Sequence, residues 1–128
     1  MENALPKILS VEDDRATQSL YAELLKDTAH VLAAMTVEDG FRLFKEHPDI
    51  RIVVMDGDVP NDGMLTYTLT GEIRRAGFTG PMIASSSSQM FRDLLIAYGC
   101  DQAAAKSSVP EIVTALLARR MSASSLPR

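Results

Sequence analysis

Ile50-Arg51-Ile52-Val53-Val54-Met55-Asp56 is the stretch that decides the fold. Apart from Arg51 the run is apolar, and it stops at an acid. A strand with one wet face alternates apolar and polar residues, whereas a strand covered on both faces does not. The stretch therefore reads as a buried central strand, roughly Ile50 to Met55, with Asp56 at its carboxyl end.

Outward from it, strands and helices alternate. Towards the N-terminus, Lys7-Ile8-Leu9-Ser10-Val11 is a short apolar run ending in Glu12-Asp13-Asp14, a strand with acids at its carboxyl end. Ala16, Leu20 and Leu24, with Tyr21 and Leu25 beside them, recur at helical spacing up to about Lys26. His30 to Ala34 reads as a second strand. Thr36 is placed to cap a helix that carries Asp39 in its first turn and Val37, Phe41 and Phe44 on one face, stopped at His47-Pro48.

Towards the C-terminus, Gly57 to Gly63 is a loop, marked by Pro60, Asn61, Asp62 and Gly63. A helix follows from Thr66 to Arg75, punctuated by Gly77 and Gly80. Pro81 to Ser85 is a fourth strand. Met90 to Tyr98 is a helix closed by Gly99, with Leu94, Leu95 and Tyr98 in its buried stripe. Gln102 to Ala105 is a weak fifth strand ending at Lys106. Ser108 and Glu111 have capping-box spacing ahead of a last helix that buries Ile112, Val113, Leu116 and Leu117. Arg119 and Arg120 suit its C-terminal end. Residues 1–120 are expected to form one domain, and 121–128, rich in serine, a flexible C-terminal tail or a severed linker.

Five β-α units in one domain imply a doubly wound (βα)5 fold, a five-stranded parallel sheet with helices on both faces. Right-handed crossovers favour the flavodoxin-like strand order 2-1-3-4-5, in which ligands bind beyond the carboxyl ends of the strands, beside the switch between the first and third.

Composition narrows the function. The 128 residues are 46% hydrophobic and 23% charged with a net charge of −4, ordinary for a soluble domain and without the basic footprint of a nucleic-acid binder. A chain of this size buries roughly two thirds of its unfolded surface and can build its own core. No apolar run approaches the ~18 residues needed to span a membrane. The start, Met1-Glu2-Asn3-Ala4, is neither basic nor followed by an apolar segment, so no signal peptide is expected. Cys100 is the only cysteine, which excludes an intrachain disulfide, fits a reducing cytoplasm and reads as a packed thiol. His30 and His47 have no metal-ligand spacing. Met35, Phe41, Phe44, Met82 and Phe91 read as core.

What occupies the carboxyl ends of the strands carries the chemistry. The first ends in Glu12-Asp13, the third in Asp56, the fourth in Ser85-Ser86 and the fifth in Lys106. Any one of these is an ordinary turn or surface residue; their joint occurrence in order is what informs. Three converging carboxylates repel one another unless a cation joins them. Mg²⁺ is the natural choice, since it takes hard oxygen ligands and is often held by one or two carboxylates plus a phosphate. Asp56 is then placed to attack phosphorus and form an acyl phosphate. Lys106 would neutralise one side of the phosphoryl group, and Ser86 would donate a hydrogen bond to it.

From about Lys7 to Arg120 these residues resemble the receiver domains of two-component response regulators. Ile8 to Asp14 looks like the family's first strand with its acidic pair, Glu12 and Asp13. Ile52 to Asp56, then Pro60 and Asp62-Gly63, looks like the phosphoacceptor strand and loop. Pro81 to Ser86 is similar to the segment ending in the family's Thr or Ser, and Gly99 through Lys106 to the approach to its lysine. The resemblance implies that Asp58 supplies a backbone carbonyl to the metal. It implies a phosphoryl group received on Asp56 from a histidine kinase or phosphotransfer protein. It also implies a downstream protein partner or output domain, with a homodimer as a further assembly, and no enzyme activity beyond self-phosphotransfer and autodephosphorylation.

The chain departs from the family pattern at Ala103, where an aromatic is expected, and at Ser107, where a proline follows the lysine. The loop after Asp56 looks one residue short, and the next helix region about three residues long. These departures favour the alternative of a degenerate receiver that docks partners without phosphorylation. A flavin- or nucleotide-binding α/β protein is a third class, disfavoured because no Gly-rich or Ser/Thr-rich phosphate loop follows the first strand. Without the aromatic, any switch is expected to come from the backbone of Ser85 to Gln89 and the helix after it, with Tyr98 buried. The Lys106-Ser107 bond is expected to be trans.

Overall fold

The computed structural model describes residues 4–125, and side chains as far as Arg119. Its elements are β1 (Lys7–Val11), α1 (Arg15–Leu24), β2 (His30–Ala34), α2 (Val37–Glu46), β3 (Ile50–Met55), α3 (Thr66–Arg75), β4 (Met82–Ala84), α4 (Gln89–Tyr98), β5 (Gln102–Ala103), a 3-10 turn (Lys106–Ser108) and α5 (Val109–Ser125). All strand pairs are parallel, and the sheet order is β2-β1-β3-β4-β5, as the alternation of elements implied.

The central strand behaves as its sequence demands. Val53 and Met55 pack into the core layer that also holds Val37 of α2, Leu69 and Ile73 of α3 and Leu95 of α4. Ile52 and Val54 pack into the layer that holds Tyr21 and Leu25 beside α1 and Val109, Val113 and Leu117 of α5. From Ile52 to Met55 both faces of β3 are dry, and the one polar residue of the strand, Arg51, is exposed near its start. Register carries this order to the sheet edge. Val11 pairs with both Ala34 and Met55, and Met55 pairs with Ala84. One residue further on, Glu12 N–H donates to Ala34 O, Asp56 N–H to Val11 O and Ser85 N–H to Met55 O, each at 2.9 Å. The ladder thus brings Glu12, Asp56 and Ser85 to one level.

Local signals place the helices. Thr36 caps α2 by accepting the Asp39 N–H at 3.1 Å. Gly99, at φ 140, closes α4 in a conformation that side chains avoid. Cys100 is a packed thiol, 5% exposed, with its pKa pushed up to about 12 by burial.

Some expectations needed correction. On α1 the buried residues are Gln18 and Tyr21, with Leu25 just beyond, while Leu20 and Leu24 are 48% and 56% exposed. Two apolar stripes lay side by side in the sequence, and the polar Gln18 selects between them. Its amide donates to the carbonyls of Ser10 and Glu12 at 2.9 Å and of Ala34 at 3.3 Å, fixing α1 to the ends of β1 and β2. Tyr98 is 44% exposed rather than buried. Its ring lies 5.0 Å from that of Tyr67 on α3, so the contact is helix to helix instead of helix to sheet. Ser108 belongs to the 3-10 turn, its N–H donating to Ala105 O, and α5 begins after it. The fifth strand is shorter than expected, ending at Ala103. Val109, Val113 and Leu117 are the fully buried residues of α5, with Ile112 and Leu116 packed at the margin. The helix runs past Arg120 to Ser125, because neither Gly nor Pro interrupts Met121 to Ser125. The rest of the expected tail, 126–128, lies outside the described residues.

Candidate functional site

The sheet's C-terminal edge collects the residues that the sequence singled out. Glu12, Asp13 and Asp56 each offer a carboxylate oxygen within 4.8 Å of the others. Glu12 and Asp56 are buried and Asp13 is exposed, so the cluster is open on one side. Lys106 reaches it from the turn after β5, with Nζ 2.8 Å from Glu12 Oε1 and 3.7 Å from Asp56 Oδ2.

Each acid has its own local support. Asp56 Oδ1 accepts the N–H of Gly57 at 2.8 Å, which leaves Oδ2 towards Lys106. Glu12 Oε2 accepts the N–H of Asp14 at 2.9 Å. Asp14, third in the acidic run, turns away and caps α1 by accepting the N–H of Thr17. Its hydrogen bonds from Thr17 hold its carboxyl below the usual range. The pair that faces the cluster is therefore Glu12-Asp13.

Burial pushes the Glu12 carboxyl up from its ordinary value. The Lys106 and Asp14 hydrogen bonds oppose the shift, and the charge of Asp56 adds to it. For Lys106, burial alone would lower the ammonium, but the hydrogen bond to Glu12 and the charges of Asp56 and Glu12 outweigh it and raise the pKa. Three carboxylates thus share one ammonium among the described residues. The set is made of hard oxygen donors with excess negative charge, and it fits a small divalent cation such as Mg²⁺. Asp58 stands outside the cluster with its side chain exposed, so any part it has there is left to its backbone carbonyl.

The four serines after β4 separate by role. Ser85 Oγ donates to Met55 O at 3.3 Å and so belongs to the sheet. Ser86 Oγ accepts the Ser88 N–H at 3.1 Å, which leaves its own hydrogen for another acceptor. Ser87 is exposed, and Ser88 caps α4 by accepting the Phe91 N–H. Ala103 and Ser107 are both exposed, and the Lys106-Ser107 bond is trans.

Two residues beside the site were not singled out as functional from the sequence. Phe91 reads there as core, yet it is half-buried and packs against Gly57, next to the candidate acceptor. Arg92 donates from Nη1 to the carbonyl of Ser86 at 2.9 Å. The available signal was a glycine directly after the acid, which leaves room for a neighbour.

The fold is that of response regulator receiver domains. A response regulator receiver domain protein from Clostridium thermocellum superposes with a TM-score of 0.75 at 20% identity, over 91% of this chain and 98% of that one. A CheY-like receiver domain protein from Methanospirillum hungatei gives 0.74 at 18% identity, over 93% and 98%. The BeF3-activated DrrB receiver domain gives 0.72 at 22% identity, over 92% and 98%. No protein-family model matches the chain, nor does any curated protein.

Proposed function

We propose that this chain, over residues 1–120, is a phosphoacceptor signalling domain that takes a phosphoryl group onto Asp56 in a Mg²⁺-dependent reaction. The observation that carries the reading is Lys106 Nζ between Glu12 and Asp56 at the mouth of a carboxylate cluster, on a receiver fold. Glu12, Asp13, Asp56 and the Asp58 carbonyl would hold Mg²⁺, which would supply positive charge to the phosphoryl oxygens.

The residues divide the remaining work. Gly57 N–H orients Asp56 by binding Oδ1. A carboxylate oxygen of Asp56 forms the new bond to phosphorus. The bond between phosphorus and the donor breaks, and the leaving group departs with its electron pair. Lys106 balances charge on the transferred group, and Ser86 donates its free hydroxyl hydrogen to a phosphoryl oxygen. The donor is a histidine kinase or a phosphotransfer protein, and the reader of the modified surface is a protein partner, an output domain or a second copy. The chain acts on itself rather than turning over a separate substrate, and it works in the cytoplasm. No described helix is long and apolar enough to cross a membrane.

A second reading has one observation in its favour. Ala103 lies exposed on β5 and has no side-chain rotamers with which to relay a change, which suits a domain that binds partners whatever its phosphorylation state. Incubation with Mg²⁺ and acetyl phosphate followed by intact mass separates the two. One added phosphoryl group supports the acceptor, and an unchanged mass supports the binding module.

A further inference from the structure

Gly57 is buried directly after the candidate acceptor, and its φ lies outside the left-handed region, so the backbone does not require glycine there. Space does. A Cβ at position 57 would stand 2.3 Å from Phe91 Cβ, 2.8 Å from Phe91 Cγ and 3.2 Å from Ser86 Cβ. Phe91, in the first turn of α4, fills the place where a side chain would be.

The same turn is tied to Ser86 by polar bonds. Ser88 N–H donates to Ser86 Oγ at 3.1 Å, and Arg92 Nη1 donates to Ser86 O at 2.9 Å. Two helical turns on, and on the same face, Tyr98 meets the other glycine that seats α4. A Cβ on Gly71 of α3 would lie 3.3 Å from the Tyr98 ring, which lies tilted at 56° against half-buried Tyr67. The helix therefore rests on two aromatic-on-glycine contacts, one at the acceptor and one where exposed Tyr98 meets half-buried Tyr67.

We propose that Phe91 is the coupling residue between Asp56 and α4. The inference rests on the acceptor reading of Asp56 and adds the part that transmits. A hydrogen bond from Ser86 to a phosphoryl oxygen draws Ser86 towards Asp56. Ser88 and Arg92 make α4 follow, while Phe91, wedged on Gly57, stops its first turn from simply sliding inward. The helix then pivots about Phe91, and the displacement emerges at Tyr98 and Tyr67. Packed elements respond in this way, by moving between discrete seatings instead of deforming.

Hydrogen exchange over Gln89–Tyr98, with and without Mg²⁺ and beryllofluoride, tests this in the wild-type chain, Phe91→Leu, Phe91→Tyr and Phe91→Met. Intact mass after acetyl phosphate is read on the same proteins. The wild-type helix changes protection on adding the ligand. Phe91→Leu takes up the phosphoryl group but loses the response of the helix, and Phe91→Tyr, which keeps the ring, retains it. Phe91→Met fills the space without a rigid ring and also loses the response, which keeps the test valid should Phe91→Leu fold poorly. A full wild-type response in Phe91→Leu or Phe91→Met overturns the inference alone, as does a labelled wild type with a silent helix. A wild type that takes no label overturns the acceptor reading first, and the two failures are told apart by mass.

Discussion

Lys106 Nζ lies 2.8 Å from Glu12 Oε1, and it is the cation that makes a nearly inaccessible glutamate tolerable. Glu12 is 1% exposed, whereas Lys106 keeps about a third of its side chain in solvent. The pair is therefore asymmetric: the lysine can be rehydrated, but the glutamate cannot. Lys106→Met is expected to destabilise the Mg²⁺-free protein by about 1–3 kcal/mol at neutral pH, the cost of a buried polar group left unpartnered. Because the Glu12 pKa is raised, the folded state holds its proton more tightly than the unfolded chain does. Stability from that group is present at acid pH and lost as pH rises through its folded pKa. The penalty of Lys106→Met should accordingly shrink as pH falls towards the glutamate's titration range. Urea unfolding of both proteins across pH checks this, and a penalty that grows in acid contradicts it.

Divalent cation should stabilise the fold through the same cluster. Mg²⁺ binding only to the folded site adds about 2.7 kcal/mol at a hundred times its Kd. Thermal melts with and without Mg²⁺ should show a rise in Tm that Glu12→Gln with Asp13→Asn removes. A shift that survives in the double variant places the ion elsewhere.

The Cys100 thiol should be silent to a disulfide reagent in the native protein and reactive once it is unfolded. Its pKa stands at about 12 in the folded chain because burial disfavours the thiolate. The raised value makes its contribution to stability complete below the ordinary thiol range near 9, and that contribution is lost as pH climbs towards 12. Absorbance on adding the reagent at neutral pH, before and after denaturant, decides it. Prompt native reaction contradicts the packing described.

The architecture was legible because its strongest signals are long-range consequences of short patterns. An uninterrupted, largely β-branched apolar run from Ile52 to Met55, too short for a helix and followed by an acid and a loop, reads as a strand dry on both sides, and alternation with helices then implies a parallel sheet. Parallel strands all end on one side, so Glu12, Asp56 and Lys106 had to converge once the strands were placed. What could not be read depends on contacts that periodicity does not carry. Gln18 is buried because three carbonyls await its amide, a reason visible only after β1 and β2 are paired. Leu20 and Leu24 look like core by type and spacing, yet they face out because Tyr21 and Leu25 won the neighbouring stripe. Phe91 reads as ordinary core until the roll of α4 sets it on Gly57.

The central claim is that Asp56 is the nucleophile, and peptide-level mass spectrometry after treatment with acetyl phosphate and Mg²⁺ tests it most directly. The account predicts a single phosphoryl group on the peptide containing Asp56, labile to hydroxylamine as an acyl phosphate is, and absent from Asp56→Asn. Label that persists in Asp56→Asn, or that lies on another peptide of the wild-type chain, would contradict it.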